Sequence, residues 1–587
     1  MDRNTTLAFA LSMLVFVGYV MYQEDRRAEL LEDAARQELA LEQSLDSDDP
    51  RFLDSSGPRT ENFAAPDTAS SAREEKRFET RSEIRSEYSQ EFDREPVRAI
   101  ELSTIVLEND SVIARISNGP GMIESWRLRD FEEFVPEGMT PIELIDQAHP
   151  VLRTEMGGIP GTDFSGLRYE VVGHAGREVV QRATSRAGIL TRTIRLDEEG
   201  FGFDVELEFQ NHRTDPMDAR FEVVWSTKAS DREDFRELSL LAYGGDIGVT
   251  RTLVQAVGQP AFFSFLGAGE NIVDGVETIP GRSHWAGFDI QYFAGVLIDP
   301  QPDPRLKVRF SPLEAGESGE VRITLPSVGV AKGASVKESL RGFIGPKTTE
   351  ALASAGNGLK HSVNRGFSWL EPLTRFFEIA LDTLYRYIPN YGLAIIVLTI
   401  LVRIFTAPLM AKQMRSAERM RALQPKMKEL QERYKDDRQK QSEETMKLYR
   451  EEKVNPIAGC LPLLLQFPVL IGLFYALRSS IGLRHAPFAL WINDLSQPAT
   501  LFVMPGIDFP IRLLPIVMGA SMFVQQKMTP TTGMDPAQAR MMLIMMPAMM
   551  LFISYTFPSG LVLYWTVSNL LGIAQQYWIR KQTQPAS

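Results

Sequence analysis

The sequence has a single cysteine, Cys460, in 587 residues, which excludes an intrachain disulfide and any cysteine-cluster zinc site. Its six histidines, at positions 149, 174, 212, 284, 361 and 485, include no His-x-x-x-His pair, so no resident metal is expected. No Gly-x-x-x-x-Gly-Lys-Ser/Thr loop, Gly-x-Gly-x-x-Gly fingerprint or Gly-x-Ser-x-Gly elbow occurs, which leaves no nucleotide or acyl-transfer signature and no expected cofactor. Basic residues are also in deficit, 63 Lys and Arg against 76 Asp and Glu, and this speaks against direct nucleic-acid binding, which needs clustered cations. Much of the acidic surplus sits in residues 23–100, with 12 basic and 21 acidic side chains. What the chain does have is apolar residues, 44% of the total, gathered into long runs with the charges between them, the pattern of a membrane protein.

Six runs approach the ~20 residues that a bilayer-crossing helix needs. The first, residues 7–22, follows Arg3 and ends without a small-x-small cleavage site; it reads as an uncleaved anchor (1–22) rather than a signal peptide. The others are expected at 389–411, 458–478, 511–527, 540–557 and 560–579. Residues 411–453 hold 13 Lys and Arg, which places that loop in the cytoplasm. Counting outward puts both termini, the 528–539 loop and the 580–587 tail inside, and the large 23–390 region and the 479–510 loop outside.

Residues 23–96 are acidic and poor in aromatics, the composition of a flexible tether. From 97 to 346 the period becomes two: Phe201, Phe203, Val205, Leu207 and Phe209 alternate with polar or small residues, as do Leu306, Val308 and Phe310, and Val321, Ile323 and Leu325. This predicts a mostly antiparallel β-sandwich. With no triad or carboxylate pair visible, it reads as a scaffold or partner-docking domain. Residues 362–387 show helical spacing of Phe367, Trp369, Leu370, Leu373, Phe376, Phe377 and Ile379 with charges between; such a helix either lies in the membrane interface or packs on the β domain. In the 412–455 loop, Met420, Leu423, Met427, Leu430 and Tyr434 recur at 3, 4, 3, 4. This is a coiled-coil seam suited to a helical hairpin, either a docking arm or a solvated spacer.

Polar groups inside the spans are the strongest functional signal, because an arginine at mid-helix costs roughly 2.5 to 3.5 kcal/mol on insertion scales unless water or a partner meets it. Arg403 is one, with Thr399 a turn earlier on the same face and no acidic residue in spans two to six to pair with it. Gln466, Gln525 and Gln526 add amides, and Trp565, Asn569, Gly572 and Gln576 form a polar or small stripe on the last span. Together they suit either a wet, positively charged cavity in a helix bundle, or a snorkelling arginine with amides that hold helices together.

Four sequence blocks carry a family resemblance: residues 455–468 (NPIAGCLPLLLQFP), 486–495 (APFALWINDL), 525–530 (QQKMTP) and 557–569 (FPSGLVLYWTVSN). In this order they resemble the YidC-type membrane-protein insertases over residues 391–580. The anchor, acidic linker and outside β domain resemble the Gram-negative form, with 285–292 and 341–347 a less distinctive match. The resemblance implies a polytopic α-helical membrane protein with six transmembrane helices, five of them the insertase core, carrying a periplasmic antiparallel β-sandwich and a cytoplasmic helical hairpin in the bacterial inner membrane. It implies no enzyme, but an insertase and folding chaperone for nascent membrane proteins, acting alone or with the Sec translocon (the SecY complex and SecDF). Arg403 matches the groove arginine, Thr399 the same face, Gln525 or Gln526 the glutamine ending the third core helix, and Trp565 the aromatic where many Gram-negative members have tyrosine. The short 580–587 tail is weakly basic, which makes ribosome binding through it weak.

The expected mechanism is sliding of an apolar nascent segment along the helices while its polar flank enters the cavity at Arg403, without nucleotide hydrolysis. Rival readings are an accessory chaperone acting only with a translocon, a transporter or channel, and an intramembrane hydrolase. Acidic or histidine residues in the spans would favour a transporter, and a Ser-His or carboxylate pair at membrane depth a hydrolase; neither is present.

Overall fold

The computed structural model describes residues 100–583 except 136–137, 146–150, 158–163, 165, 229–236, 245–247, 257–275, 315–317, 368, 436, 453–460, 507–508 and 529–535. The expected anchor and acidic linker lie outside these residues.

Residues 104–346 form a β-sandwich. One sheet runs in the order Thr104–Glu108, Val112–Ser117, Gly121–Val135, Val151–Gly157, Met217–Lys228, Ser318–Thr324, Lys307–Glu314, Glu277–Thr278, with Gly138–Ile145 and Val328–Val330 pairing off this path. The other runs Gly248–Ala256, Glu237–Gly244, Trp285–Asp289, Phe293–Ile298, Ser335–Pro346, Gly202–Asn211, Gly188–Leu196, Glu178–Thr184, Glu170–Ala175. The strand pairs are antiparallel, and period-two alternation sends Phe203, Val205, Leu207 and Phe209 into the shared core. Two strands break the alternation: Trp285–Asp289 and Phe293–Ile298 are buried throughout. Their second face is covered by helix α1 (Thr349–Ala355) and Leu359, which pack on Trp285, Val296 and Ile298.

Two arginines in the sandwich are matched by several partners each. Arg192 is buried, stacks 3.6 Å over the Tyr169 ring, and donates to Gln181 and to the carbonyls of Ser117, Gly119 and Pro120. On the first sheet Arg322 bridges Glu320 of its own strand, Glu222 of the neighbouring strand and Glu155 of the strand beyond.

The rest is helical: α2 (Glu371–Tyr387), α3 (Tyr391–Ala422), α4 (Gln424–Arg433), α5 (Arg438–Glu451), α6 (Leu461–Ser479), α7 (Leu513–Met528), α8 (Pro536–Ser554) and α9 (Ser559–Thr583). Among the described residues, Tyr391–Pro408 is the one helical stretch long and apolar enough by itself to cross a membrane; Phe467–Ser479 and Leu543–Ser554 are apolar but shorter. Helix α2 packs on α6 and α3, burying Thr374, Phe377 and Leu381 while Phe376 and Ile379 stay exposed. The β-domain packing considered for it is therefore not the one it makes. Helix α3 also runs further than the sequence spacing suggested. Residues 411–422 are strong helix formers that continue the span, and the break comes at Leu423, just before the Gln424-Pro425 pair that opens α4. Met420 thus belongs to α3.

The loop between α6 and α7 carries a short hairpin (Phe502–Met504 with Phe509–Ile511) and, before it, the 486–497 segment. This segment meets two helix starts. The Asn390 amide donates to Phe488 O (3.3 Å), and Phe488 packs so closely on Gly392 that a Cβ there would lie 2.0 Å from its ring. Ser559 N and Gly560 N donate to the carbonyls of Gln497 and Leu495, both at 2.9 Å, and Ser559 Oγ to that of Asp494.

Candidate functional site

Arg403 lies twelve residues into α3, about 18 Å along the axis from Tyr391. Apolar packing of α3 against α9 holds it beside Ser568 of α9. Its Nε donates to Ser568 Oγ (3.1 Å), and one Nη donates to both Ser568 Oγ and Ser568 O, each at 2.7 Å. Its other Nη carries no hydrogen bond to a described residue. Arg403 therefore has a hydroxyl and a carbonyl as its described partners in place of a carboxylate.

One turn further along α9, Gly572 lets α7 approach. A Cβ at this position would lie 2.7 Å from Gln525 Nε2 and 3.6 Å from the Arg403 guanidinium, so Arg403, Ser568, Gly572 and Gln525 of three helices meet at one level. On the neighbouring face, the Asn569 amide donates to Ser521 Oγ of α7 (3.2 Å), and Gln575 donates to Ala407 O of α3 (3.3 Å). Gln576 Oε1 is buried without a partner.

The other expected site residues fall as follows. Thr399 shares the face of Arg403, is 1% exposed and gives its hydroxyl hydrogen to Ile395 O (2.6 Å). Gln525 is the glutamine at the Arg403 level, whereas Gln526, rotated about 100° round the helix, makes no contact with it among the described hydrogen bonds. Trp565 is half-buried and stacks on Phe557 (6.1 Å, 8° between planes). The side chain of Gln466 lies outside the described residues. Ser568 and Ser521 were missed by sequence reasoning; each is an isolated serine within an apolar stretch of its helix, and only its one-residue or one-turn offset from Asn569 and Gln525 hinted at a role.

In the 423–452 region, Leu423, Met427 and Tyr449 form a small buried cluster, with Tyr449 Oη donating to Met427 Sδ (3.3 Å) and Lys426 pairing with Glu452 (2.6 Å). Met446 and Leu448 pack against it; Leu430 and Tyr434 are half-exposed, and the Met420 side chain lies outside the described set.

Comparison with known proteins follows the same division. The family model for the YidC periplasmic domain matches residues 104–379, and that for the 60Kd inner membrane protein matches residues 383–586. The membrane protein insertase YidC of Pelobacter propionicus is 43% identical over 302 residues, 51% of this chain and 54% of that protein; here the chain spans about half the length of its relative. That of Geobacter metallireducens is 33% identical over 497 residues, 82% of this chain and 86% of that protein. The crystal structure of an active YidC insertase with its first transmembrane domain resolved aligns over 82% of this chain and 94% of that chain, at 18% identity and a TM-score of 0.34.

Proposed function

This chain belongs to the YidC family of membrane protein insertases, and from that premise we propose that it inserts and folds nascent inner-membrane proteins, alone or with the Sec translocon. The family is one of insertases rather than enzymes, with an inner-membrane core and a periplasmic domain. In our reading five core helices and an N-terminal anchor cross the membrane, both termini and the α4–α5 hairpin are cytoplasmic, and the β-sandwich is outside. The 13 basic residues of 411–453 support this direction. The hairpin, ordered by Leu423, Met427 and Tyr449, serves as a docking arm for the arriving chain or its delivery partners; the SecY complex and SecDF are the translocon partners, and the short tail adds little towards a ribosome.

The observation that carries the proposal is the polar cluster at Arg403, set among apolar helices about 18 Å from the Tyr391 end. A nascent segment's apolar stretch gains by moving into lipid along the helix faces. Its polar flank is the obstacle, since burying an unpaired polar or charged group is costly. Arg403 meets that flank with one Nη that no described residue engages, while its other nitrogens are anchored on Ser568 beside Gln525. An acidic flank is attracted by the guanidinium and drawn outward by the membrane potential, worth about 2.3 kcal/mol per charge per 100 mV.

The test is reconstitution of the purified chain in liposomes with a newly made single-span substrate bearing a short acidic outside tail, scored by protease protection. Protection above empty liposomes, reduced by Arg403→Ala and less by Arg403→Lys, is the expected result. Equal protection by wild type and Arg403→Ala removes the charge from the mechanism. Protection only with a translocon present turns the reading to an accessory chaperone.

A further inference from the structure

A second polar site lies where the β domain meets the helical core. A cleft there is lined by Arg251 and Asp289 of the second sheet, Lys347 just after that sheet's Ser335–Pro346 strand, Asn364 of the connector before α2, and Arg478 and Ser479 in the last turn of α6. Asp289 is 3% exposed and ion-pairs with both Arg251 and Lys347, which are themselves only 13% and 6% exposed. One carboxylate thus holds two cations side by side. Arg251 is fixed further by donation to Ser362 O (2.6 Å). Arg478, which also lies over the Phe474 ring, brings a third cation to the lining from the helical side, so the formal charges of these four lining groups sum to +2. Glu378, which reaches the wall at Ser479 (2.8 Å), is engaged by Arg365 (3.0 Å).

We infer that this junction cleft binds a phosphate-type anion bearing one or two negative charges, held by Arg478 from the helical side and by the Arg251–Lys347 pair from the β domain. The chemistry fits: guanidinium groups give forked hydrogen bonds to phosphate oxygens, and cations already fixed by Asp289 and Ser362 lose little freedom when the anion arrives. The cleft sits at the Ser479 end of α6, beside α2. In the proposed topology this is the outer headgroup level, so the phosphodiester of an acidic phospholipid and free phosphate are two sources of the same ligand. Bound there, the anion bridges the β domain to α6. The site goes beyond the insertase reading and uses none of the Arg403 cluster.

The experiment uses the full chain, delipidated in detergent. Native mass spectrometry measures retention of phosphatidylglycerol against phosphatidylcholine, and equilibrium dialysis measures binding of inorganic phosphate against acetate. The expected result is preference for phosphatidylglycerol and for phosphate, with Arg478→Gln weakening binding about tenfold, as loss of one charge-assisted hydrogen-bonding group implies, and Arg478→Lys losing less. Arg403→Ala should bind as wild type does, which separates this site from the insertion groove. Phosphate binding without lipid preference assigns the free anion and keeps the site. Equal binding of acetate and phosphate, or retention unchanged in a folded Arg478→Gln chain, overturns it.

Discussion

Arg403 of α3 makes its three protein hydrogen bonds to one residue, Ser568 of α9, two through the hydroxyl and one through the carbonyl. The carbonyl remains whatever side chain stands at 568, but the hydroxyl does not. Ser568→Ala should therefore leave the chain folded and lower insertion of the acidic-tailed substrate by roughly fivefold, the equivalent of ~1 kcal/mol, with Ser568→Thr close to wild type. Protease protection in liposomes reads this directly, and an unaffected Ser568→Ala shows that the anchor is dispensable.

Gly572 sets how closely α7 comes to α9. Because the one close contact of a Cβ is with the far end of the Gln525 side chain, Gly572→Ala should be tolerated, whereas Gly572→Leu must push into the space between Gln525 and Arg403. Loss of insertion with Leu but not with Ala is expected; equal loss would mean that backbone spacing, not space near the guanidinium, is what matters.

In the β domain, Arg192→Met strands Gln181 and three backbone carbonyls. Removing the partner of such a buried network costs about 3 kcal/mol or more, so the domain in the full chain should lose protease resistance at a clearly lower temperature. Burial holds the Arg192 guanidinium down at about 10. A base depressed in the fold adds stability only as pH rises through that value, so this group should give no slope between about pH 6 and 9.

Glu155 acts in the acid range. Burial raises its pKa, but hydrogen bonds and charge from Arg322 and Arg153 outweigh that and hold it below the usual carboxylate value. A depressed carboxylate stabilises above its unfolded pKa and loses that contribution as pH falls through the folded one. Thermal protease resistance should fall on acidification through the carboxylate range, and less steeply in Glu155→Gln; identical slopes would assign the acid sensitivity to other groups.

Helix α2 separates two kinds of apolar residue. Phe377 is 2% exposed and packs by α6, so Phe377→Ala should cost about 3 to 5 kcal/mol of packing. Phe376 and Ile379 are 59% and 58% exposed, and replacing both with Glu should spare the fold in detergent while lowering insertion in liposomes. Normal insertion by that double variant would remove α2 from the lipid interface.

The sandwich was legible in residues such as Phe203, Val205, Leu207 and Phe209 because a sheet with one buried face writes its geometry at period two. Trp285–Asp289 and Phe293–Ile298 carry no such pattern, since α1 and Leu359 cover their second face. Arg403 was legible because a charge in an apolar run has few explanations. Its partner was not: pairing depends on the rotation of α3 against α9, which no local pattern encodes, and one serine is an ordinary residue in such a helix. The same blindness left Gln525 and Gln526 equivalent until helix rotation chose between them, and extended the hairpin into residues that simply continue α3.

The 486–497 segment, by clasping the starts of both α3 and α9, acts as the pivot of a pair of tongs. The two helices that carry Arg403 and Ser568 are tied to that loop at Gly392 and at Ser559–Gly560, whereas beyond Arg403 the described hydrogen bond between them is the one from Gln575 to Ala407 O. If the pair were to spread at Arg403 and Ser568, the clasped end would move least, and the Gln575–Ala407 hydrogen bond nearer the α4–α5 hairpin would be the contact that has to break.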